Sequence, residues 1–293
     1  MEVIKKVKNL AFHTGNVIPQ IGYGTYCLKD DECVQGVITA VKVGYRHIDT
    51  ASIYRNEKSI AVALKKLYEE GIVKRDDIFI TSKISPQEQG YENALKAVDQ
   101  MLERLDTDYL NLVIIHWPGV AGRKPGDEEN AKIRLETWRA LEELKAAGKI
   151  RDIGVSNFQV RHLEHLLKNS KTKPVLNQFE LHPLCQDKET IKFCRDNGIL
   201  VEAYSSLARN HDELMKNPTI VSIAKKYEKT TAQIALKWAV QKDFIVLPKS
   251  KSGTRIRENF EIFDFEITPE EMTEIDKLDK NFRTCWDPTS VTY

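Results

Sequence analysis

Ile21-Gly22-Tyr23-Gly24-Thr25-Tyr26 is the stretch on which the fold turns. It reads as a short strand holding the first two glycines of a GxGxxG pattern without the third, and no complete GxGxxG occurs in the chain. An open dinucleotide-type sheet would usually show that pattern after its first strand, where glycines let the backbone close on a pyrophosphate. Outward from Ile21–Tyr26, seven more Val- and Ile-rich strands are expected at Tyr45–Thr50, Ile78–Ile84, Leu110–Trp117, Ile150–Asn157, Pro174–Leu181, Ile199–Ser206 and Ile245–Ser250. Their starts lie 24, 33, 32, 40, 24, 25 and 46 residues apart, mostly the length of one strand–helix unit. Amphipathic helices fill the gaps. In Ile133–Gly148, Leu135, Trp138, Leu141 and Leu144 recur every third residue between charged positions.

Eight strands alternating with helices fit either an open doubly wound sheet or a closed barrel. The missing fingerprint, the count of eight and the 293-residue length without a Pro/Gly/Ser-rich linker favour an α/β fold, the (β/α)8 TIM barrel, as one domain over 1–293. Additions to it are legible. Residues 4–19 hold two apolar runs around His13-Thr14-Gly15-Asn16, the pattern of an N-terminal hairpin under the barrel. Thr268-Pro-Glu-Glu opens an extra C-terminal helix running to about Leu278, followed by a short tail. Pro118–Asn130 and Leu207–Asn217 are polar connections at the C-terminal face, the first expected to be mobile and to shape the substrate site.

Composition narrows the class. Lys plus Arg number 44 against 43 Asp plus Glu, so the net charge of +1 speaks against a nucleic-acid-coating or membrane-surface protein. The longest apolar run, Ile60–Leu64, is far short of the roughly twenty residues of a membrane span. The first twelve residues lack the apolar core of a secretory signal. Five cysteines without a CxxC pair read as buried thiols of a reducing compartment, so a cytoplasmic protein is expected, and a complete barrel is expected to be a monomer.

Four residues stand out at the strand ends. Asp49 closes the second strand and Tyr54 follows in the next turn; Lys83 and His116 lie near the ends of the third and fourth. Any one of them alone would read as a strand cap or a structural histidine. Together they bring an acid, a phenol, an amine and an imidazole to the face where barrels do chemistry. That set suits proton donation to an oxygen. The Lys83 ammonium is expected to lower the phenol's pKa from about 10, Asp49 to hold the ammonium, and a neutral His116 to orient a carbonyl. His162-x-x-His165 lacks a third ligand and is expected at the surface, so no metal is expected.

Gly44-Tyr-Arg-His-Ile-Asp-Thr-Ala-Ser-Ile-Tyr54-Arg-Asn-Glu57 resembles the first signature of the aldo-keto reductase family. Ile150–Phe158 is similar to the second and Leu247–Phe260 to the third; Ile115–Pro118 and Asn177–Pro183 also match, in the right order and spacing from about residue 10 to 290. The resemblance implies a barrel oxidoreductase that reduces aldehydes and ketones with NADPH and no metal. It carries the catalytic tetrad onto Asp49, Tyr54, Lys83 and His116, with Tyr54 as proton donor.

The same resemblance implies that Ser156, Asn157 and Gln178 bind the nicotinamide carboxamide and that Tyr204 stacks on its ring. It brings Ser205, Ser206 and Leu207 to the pyrophosphate, and Gly24, Thr25, Tyr26 and Asp49 to the cofactor. Lys249, Ser250, Lys251 and Ser252 precede a helix on which Arg255, Glu258 and Asn259 share a face. A helix N-terminus flanked by Lys and Arg is a ready anion site, suited to the adenosine 2′-phosphate, with Glu258 and Asn259 facing the adenine. Lys249, Lys251, Arg255 and Arg257 form the basic cluster for that phosphate. Tyr26, Ile53, Tyr54, His116 and Trp117 are expected to line the pocket of a small-molecule carbonyl substrate. Ser85 stands where many relatives carry tryptophan, implying a wider or more polar pocket. Two readings compete: a nucleotide-binding structural protein of the same fold, crystallin-like or channel-subunit-like, and a metal-dependent barrel hydrolase, for which the chain offers no ligand set.

Overall fold

The computed structural model describes residues 7–292; the start of the expected hairpin, residues 4–6, lies outside them. Asn9–Ala11 (β1) and Val17–Pro19 (β2) pair antiparallel. Strands and helices then alternate: β3 (Tyr23–Gly24), α1 (Asp30–Val43), β4 (His47–Asp49), α2 (Glu57–Glu69), β5 (Phe79–Ile84), α3 (Tyr91–Leu105), β6 (Leu110–Ile115) and α4 (Glu129–Ala146). The second half runs β7 (Ile150–Ser156), α5 (Val160–Asn169), β8 (Leu176–Glu180), α6 (Lys188–Asp196) and β9 (Leu200–Tyr204). After α7 (Asp212–Met215), α8 (Pro218–Tyr227) and α9 (Thr231–Gln241) come β10 (Ile245–Val246), α10 (Gly253–Phe260) and α11 (Pro269–Asp276).

The eight strands β3 to β10 lie parallel in chain order. Ile21 bridges Val246, and the amides of Gly22 and Gly24 donate to the carbonyls of Val246 and Pro248, joining first strand to last. The (β/α)8 barrel expected from the spacing is therefore present. Its closing strands are shorter than expected, and Pro248, which has no amide proton, ends the ladder just beyond β10. The glycines of the opening stretch serve this seam. A Cβ on Gly22 would lie 2.5 Å from His47 Nδ1 and 2.7 Å from Leu247 Cδ2.

Strands of the barrel are buried on both faces, so the polar side chains they carry, such as Thr81, Lys83, Gln178 and Glu202, are buried along with the apolar ones. The hairpin plugs the N-terminal end: Leu10, Phe12 and Ile18 pack with Phe79, Leu112, Ile114 and Leu176. The opposite end is left for the site. Trp138, Leu141 and Leu144 of α4 face the core as their spacing requires. Thr268 and Glu271 form a capping box at the start of α11, which ends at Asp276, two residues before the expected Leu278.

Both C-terminal-face connections are more structured than their polarity suggested. Leu207–Asn217 contains a 3-10 turn and α7. Pro118–Asn130, expected to be mobile, is tied at several points. The Asn130 amide accepts from Val120 N–H and donates to the Lys124 and Asp127 carbonyls, while Gln89 donates to those of Trp117 and Gly119. Three cysteines are buried, but Cys27 is exposed and Cys285 half-buried, against the expectation of uniformly buried thiols. No helix of the described residues is long and apolar enough to cross a membrane.

Candidate active site at the C-terminal face

Asp49, Tyr54, Lys83 and His116 do converge. Lys83 Nζ lies 2.6 and 2.7 Å from the two Asp49 carboxylate oxygens and 2.8 Å from the Thr50 carbonyl. Three donors meet three acceptors, so the ammonium is saturated. Tyr54 sits in a 3-10 turn, Ser52–Tyr54, held from behind by buried Asn56, whose amide donates to the carbonyls of Thr25 and Leu28 and accepts from the Thr50 hydroxyl. The Tyr54 ring centroid is 5.0 Å from Lys83 Nζ, 5.7 Å from the His116 ring and 5.1 Å from the Tyr26 ring.

The electrostatics correct one expectation. Burial, with the Asp49 carboxylate adding to it, pushes the Tyr54 phenol well above its ordinary value. The expected net lowering does not appear: burial outweighs the nearby Lys83 ammonium, and the Asp49 carboxylate paired with it pushes the phenol upward. His116 is neutral: burial and the Lys83 charge push it down to about 3. Its Nδ1 is buried without a hydrogen-bond partner among the described residues.

Ser156, Asn157 and Gln178 gather beside this group. Asn157 has positive φ (64°), a left-handed turn that aims its amide back across the strand end. That amide donates to the His116 carbonyl and to Ser156 Oγ, and its oxygen accepts from Tyr204 Oη at 2.8 Å. Gln178 Nε2 donates to Asp49 Oδ2 at 2.9 Å and to Glu202 Oε2 at 2.8 Å. Both amides thus spend their protons within the protein.

Ser206 is buried and caps the Ala203 carbonyl, Ser205 meets Cys285 Sγ at 3.2 Å, and Leu207 packs on the core. Gly24 and Thr25 lie in the β3–β4 seam, Thr25 bonding the Asp49 carbonyl. Tyr23 Oη donates to the Ser250 carbonyl, fixing the turn before α10. Ser252 caps that helix through Arg255 N–H. Lys249, Arg255 and Arg257 are exposed there, Glu258 is half-buried and Asn259 buried. Lys251 instead pairs with Glu32 at 2.8 Å, which removes it from the free basic cluster.

Tyr26 and Ile53 are exposed and Trp117 half-buried around the mouth. Ser85, expected to make the pocket more polar, is buried with its hydroxyl and amide both turned to Glu88. His162, expected at the surface, is buried: Nδ1 accepts from Gln159 N–H, so Nε2 carries the proton it donates to the Val291 carbonyl at 2.8 Å.

Sequence reasoning missed three features. Buried Glu180 takes the Thr284 amide and hydroxyl and the Cys285 amide, clasping the tail over the barrel. Trp286 then stands over Trp117, rings perpendicular at 6.3 Å. Glu202 is wholly buried beneath Gln178. Glu202 is an acid within the apolar run Ile199–Ala203, which was the available signal; Glu180 follows Asn177 and Gln178 in a mixed strand and carried none.

Residues 20–280 match the family described as the Aldo/keto reductase family. The chain is 43% identical over 282 residues to the glyoxal reductase of Bacillus subtilis, covering 96% of both. It superposes on the crystal structure of an aldo/keto reductase from Brucella melitensis with a TM-score of 0.86 at 43% identity, covering 94% of this chain and 100% of that one. An aldo-keto reductase of Bombyx mori in complex with NADP gives a TM-score of 0.89 at 30% identity, covering 98% of each chain. The motifs, the barrel and these likenesses agree, and the chain is a member of the aldo/keto reductase family.

Proposed function

We propose that this protein reduces an aldehyde or ketone to the alcohol using NADPH, with Tyr54 giving the proton to the carbonyl oxygen. The observation that carries the reading is the convergence of Tyr54, His116 and the Lys83–Asp49 pair at the open end of the barrel.

The residues present fit the dinucleotide. Tyr204, anchored through its hydroxyl to Asn157, offers a half-buried ring. Exposed Lys249 and Arg255 flank the first turn of α10, where backbone N–H groups and two cations suit a phosphate. When bound, NADPH supplies the hydride.

The chain's own residues manage the proton and the orientation. The raised pKa keeps Tyr54 protonated at neutral pH, loaded as an acid. Charge developing on the carbonyl oxygen makes it an alkoxide, far more basic than a phenol, so the proton moves from Tyr54 Oη to that oxygen. Lys83, near the ring face, then stabilises the phenolate left behind. Neutral His116 hydrogen-bonds the carbonyl and sets its angle.

The test is turnover of glyoxal and an aromatic aldehyde with NADPH, followed by loss of the reduced-nicotinamide absorbance. Tyr54→Phe should lower kcat by about 10²–10⁴ while nucleotide still quenches the protein's fluorescence. Undiminished turnover in that variant, or no carbonyl consumed by the wild type, overturns the proposal.

A further inference from the structure

Beneath Asp49 the barrel interior holds a second acid that this mechanism does not use. Glu202, on β9, is 0% exposed. Its Oε2 accepts one hydrogen bond, from Gln178, and its Oε1 has no partner among the described residues. The nearest basic atom to Oε1 is His47 Nε2 at 3.8 Å, beyond hydrogen-bond reach. Burial and the Lys83 charge push His47 down to about 3, so it brings no positive charge. Its Nε2 lies 3.0 Å from Thr81 Oγ1 instead.

The charged and titratable groups facing Glu202 are Asp49 and His47 on β4 and Lys83 on β5. The adjoining strands place Gln178 and Ile245 beside it. Lys83 has spent its three protons on Asp49 and Thr50. One cation therefore serves one carboxylate. A second carboxylate here would be desolvated, repelled by Asp49 and held by a single neutral hydrogen bond, a state that buried acids avoid by keeping their proton. The same burial and the Asp49 charge push Glu202 up to about 8.

Gln178 gives this arrangement a consequence. Its two amide protons go to Asp49 Oδ2 and Glu202 Oε2. Flipping the amide would turn its oxygen onto both acids, so Oε1 is kept pointing away from them as the free acceptor.

We propose that Glu202 is a positioning residue, held as a neutral carboxylic acid with its proton on Oε1, and that it acts through Gln178 to fix the wall beside the Asp49–Lys83 pair. The proposal rests on the reductase reading for its kinetic consequence and not for the protonation itself. When Glu202 ionises in alkali, the new charge competes with Asp49 for Lys83 and Gln178, and the site loosens.

Two measurements test it. In the wild type, kcat/KM should fall about tenfold between pH 7 and pH 9, as expected for one essential proton lost near the middle of that range. In Glu202→Gln, which cannot ionise, the ratio of the two values should fall to about one. The second measurement is infrared spectroscopy of the wild type with ¹³C-labelled glutamate, where an isotope-shifted band of a protonated carboxyl should persist at pH 7 and vanish by pH 9.5. Absence of that band at pH 7 overturns the proposal, whether or not Glu202→Gln folds; so does an unchanged alkaline limb in that variant. If no carbonyl turns over, the reductase reading fails while the infrared band still decides Glu202.

Discussion

Lys83 Nζ sits 2.6 Å from Asp49 Oδ1 and 2.7 Å from Oδ2, with both side chains buried, so the pair shares almost no water. A pair of this kind is costly to break and cheaper to replace. Removing one partner strands the other charge in a desolvated site, whereas replacing both by apolar groups does not.

Asp49→Leu and Lys83→Met should each cost roughly 3–5 kcal/mol in urea denaturation. The double variant should be less destabilised than the sum of the singles by more than ~1 kcal/mol. Simple additivity would show that the two charges do not depend on each other.

Arg255→Ala should weaken NADPH binding while leaving NADH nearly unchanged. A hydrogen bond to a charged group is worth about 1.5–3 kcal/mol, so the Kd for NADPH should rise roughly ten- to hundredfold. Equal loss for both nucleotides, measured by fluorescence titration, would remove Arg255 from the 2′-phosphate.

Acid should destabilise the fold through its buried histidines. Burial, with Arg134 nearby, pushes His162 down to about 3, while the unfolded ring titrates at about 6.5. The unfolded state therefore binds the extra proton first. Stability from this group is full above pH 6.5 and is lost as pH falls toward 3, about 2 kcal/mol by pH 5. His47 and His116 act in the same direction. Urea denaturation at pH 7 and pH 5 should show a smaller loss for His162→Gln than for the wild type; equal losses would mean that His162 is not held neutral.

Gly22→Ala should destabilise by roughly 1–3 kcal/mol, since the added methyl meets the His47 ring and Leu247 at the barrel seam. Thermal unfolding checks this. An unchanged midpoint would mean that the seam relaxes freely.

Much of this protein is written locally. Strand spacing, helix periodicity and the Thr268–Glu271 cap are short-range patterns, and they led to the barrel, the hairpin and α11. The four residues of the proposed tetrad could be selected because each ends, or follows, a strand whose limits are legible in residue type. Distances and charge balance were not legible. Whether Lys83 lowers the Tyr54 pKa depends on how deeply the phenol is buried and on the Asp49 carboxylate, which reaches that ammonium from 34 residues away. His162 read as surface because the Val291 carbonyl that takes its proton arrives from the tail, 129 residues on. Lys251 read as free because its partner, Glu32, lies on α1. The sequence by itself determined the fold class and the residues available for chemistry, since backbone periodicity and side-chain type are local properties. Only the tertiary structure decided which charges are neutralised, which protons are kept and which amides are already spent, because desolvation and hydrogen-bond satisfaction depend on neighbours that the chain brings together from afar.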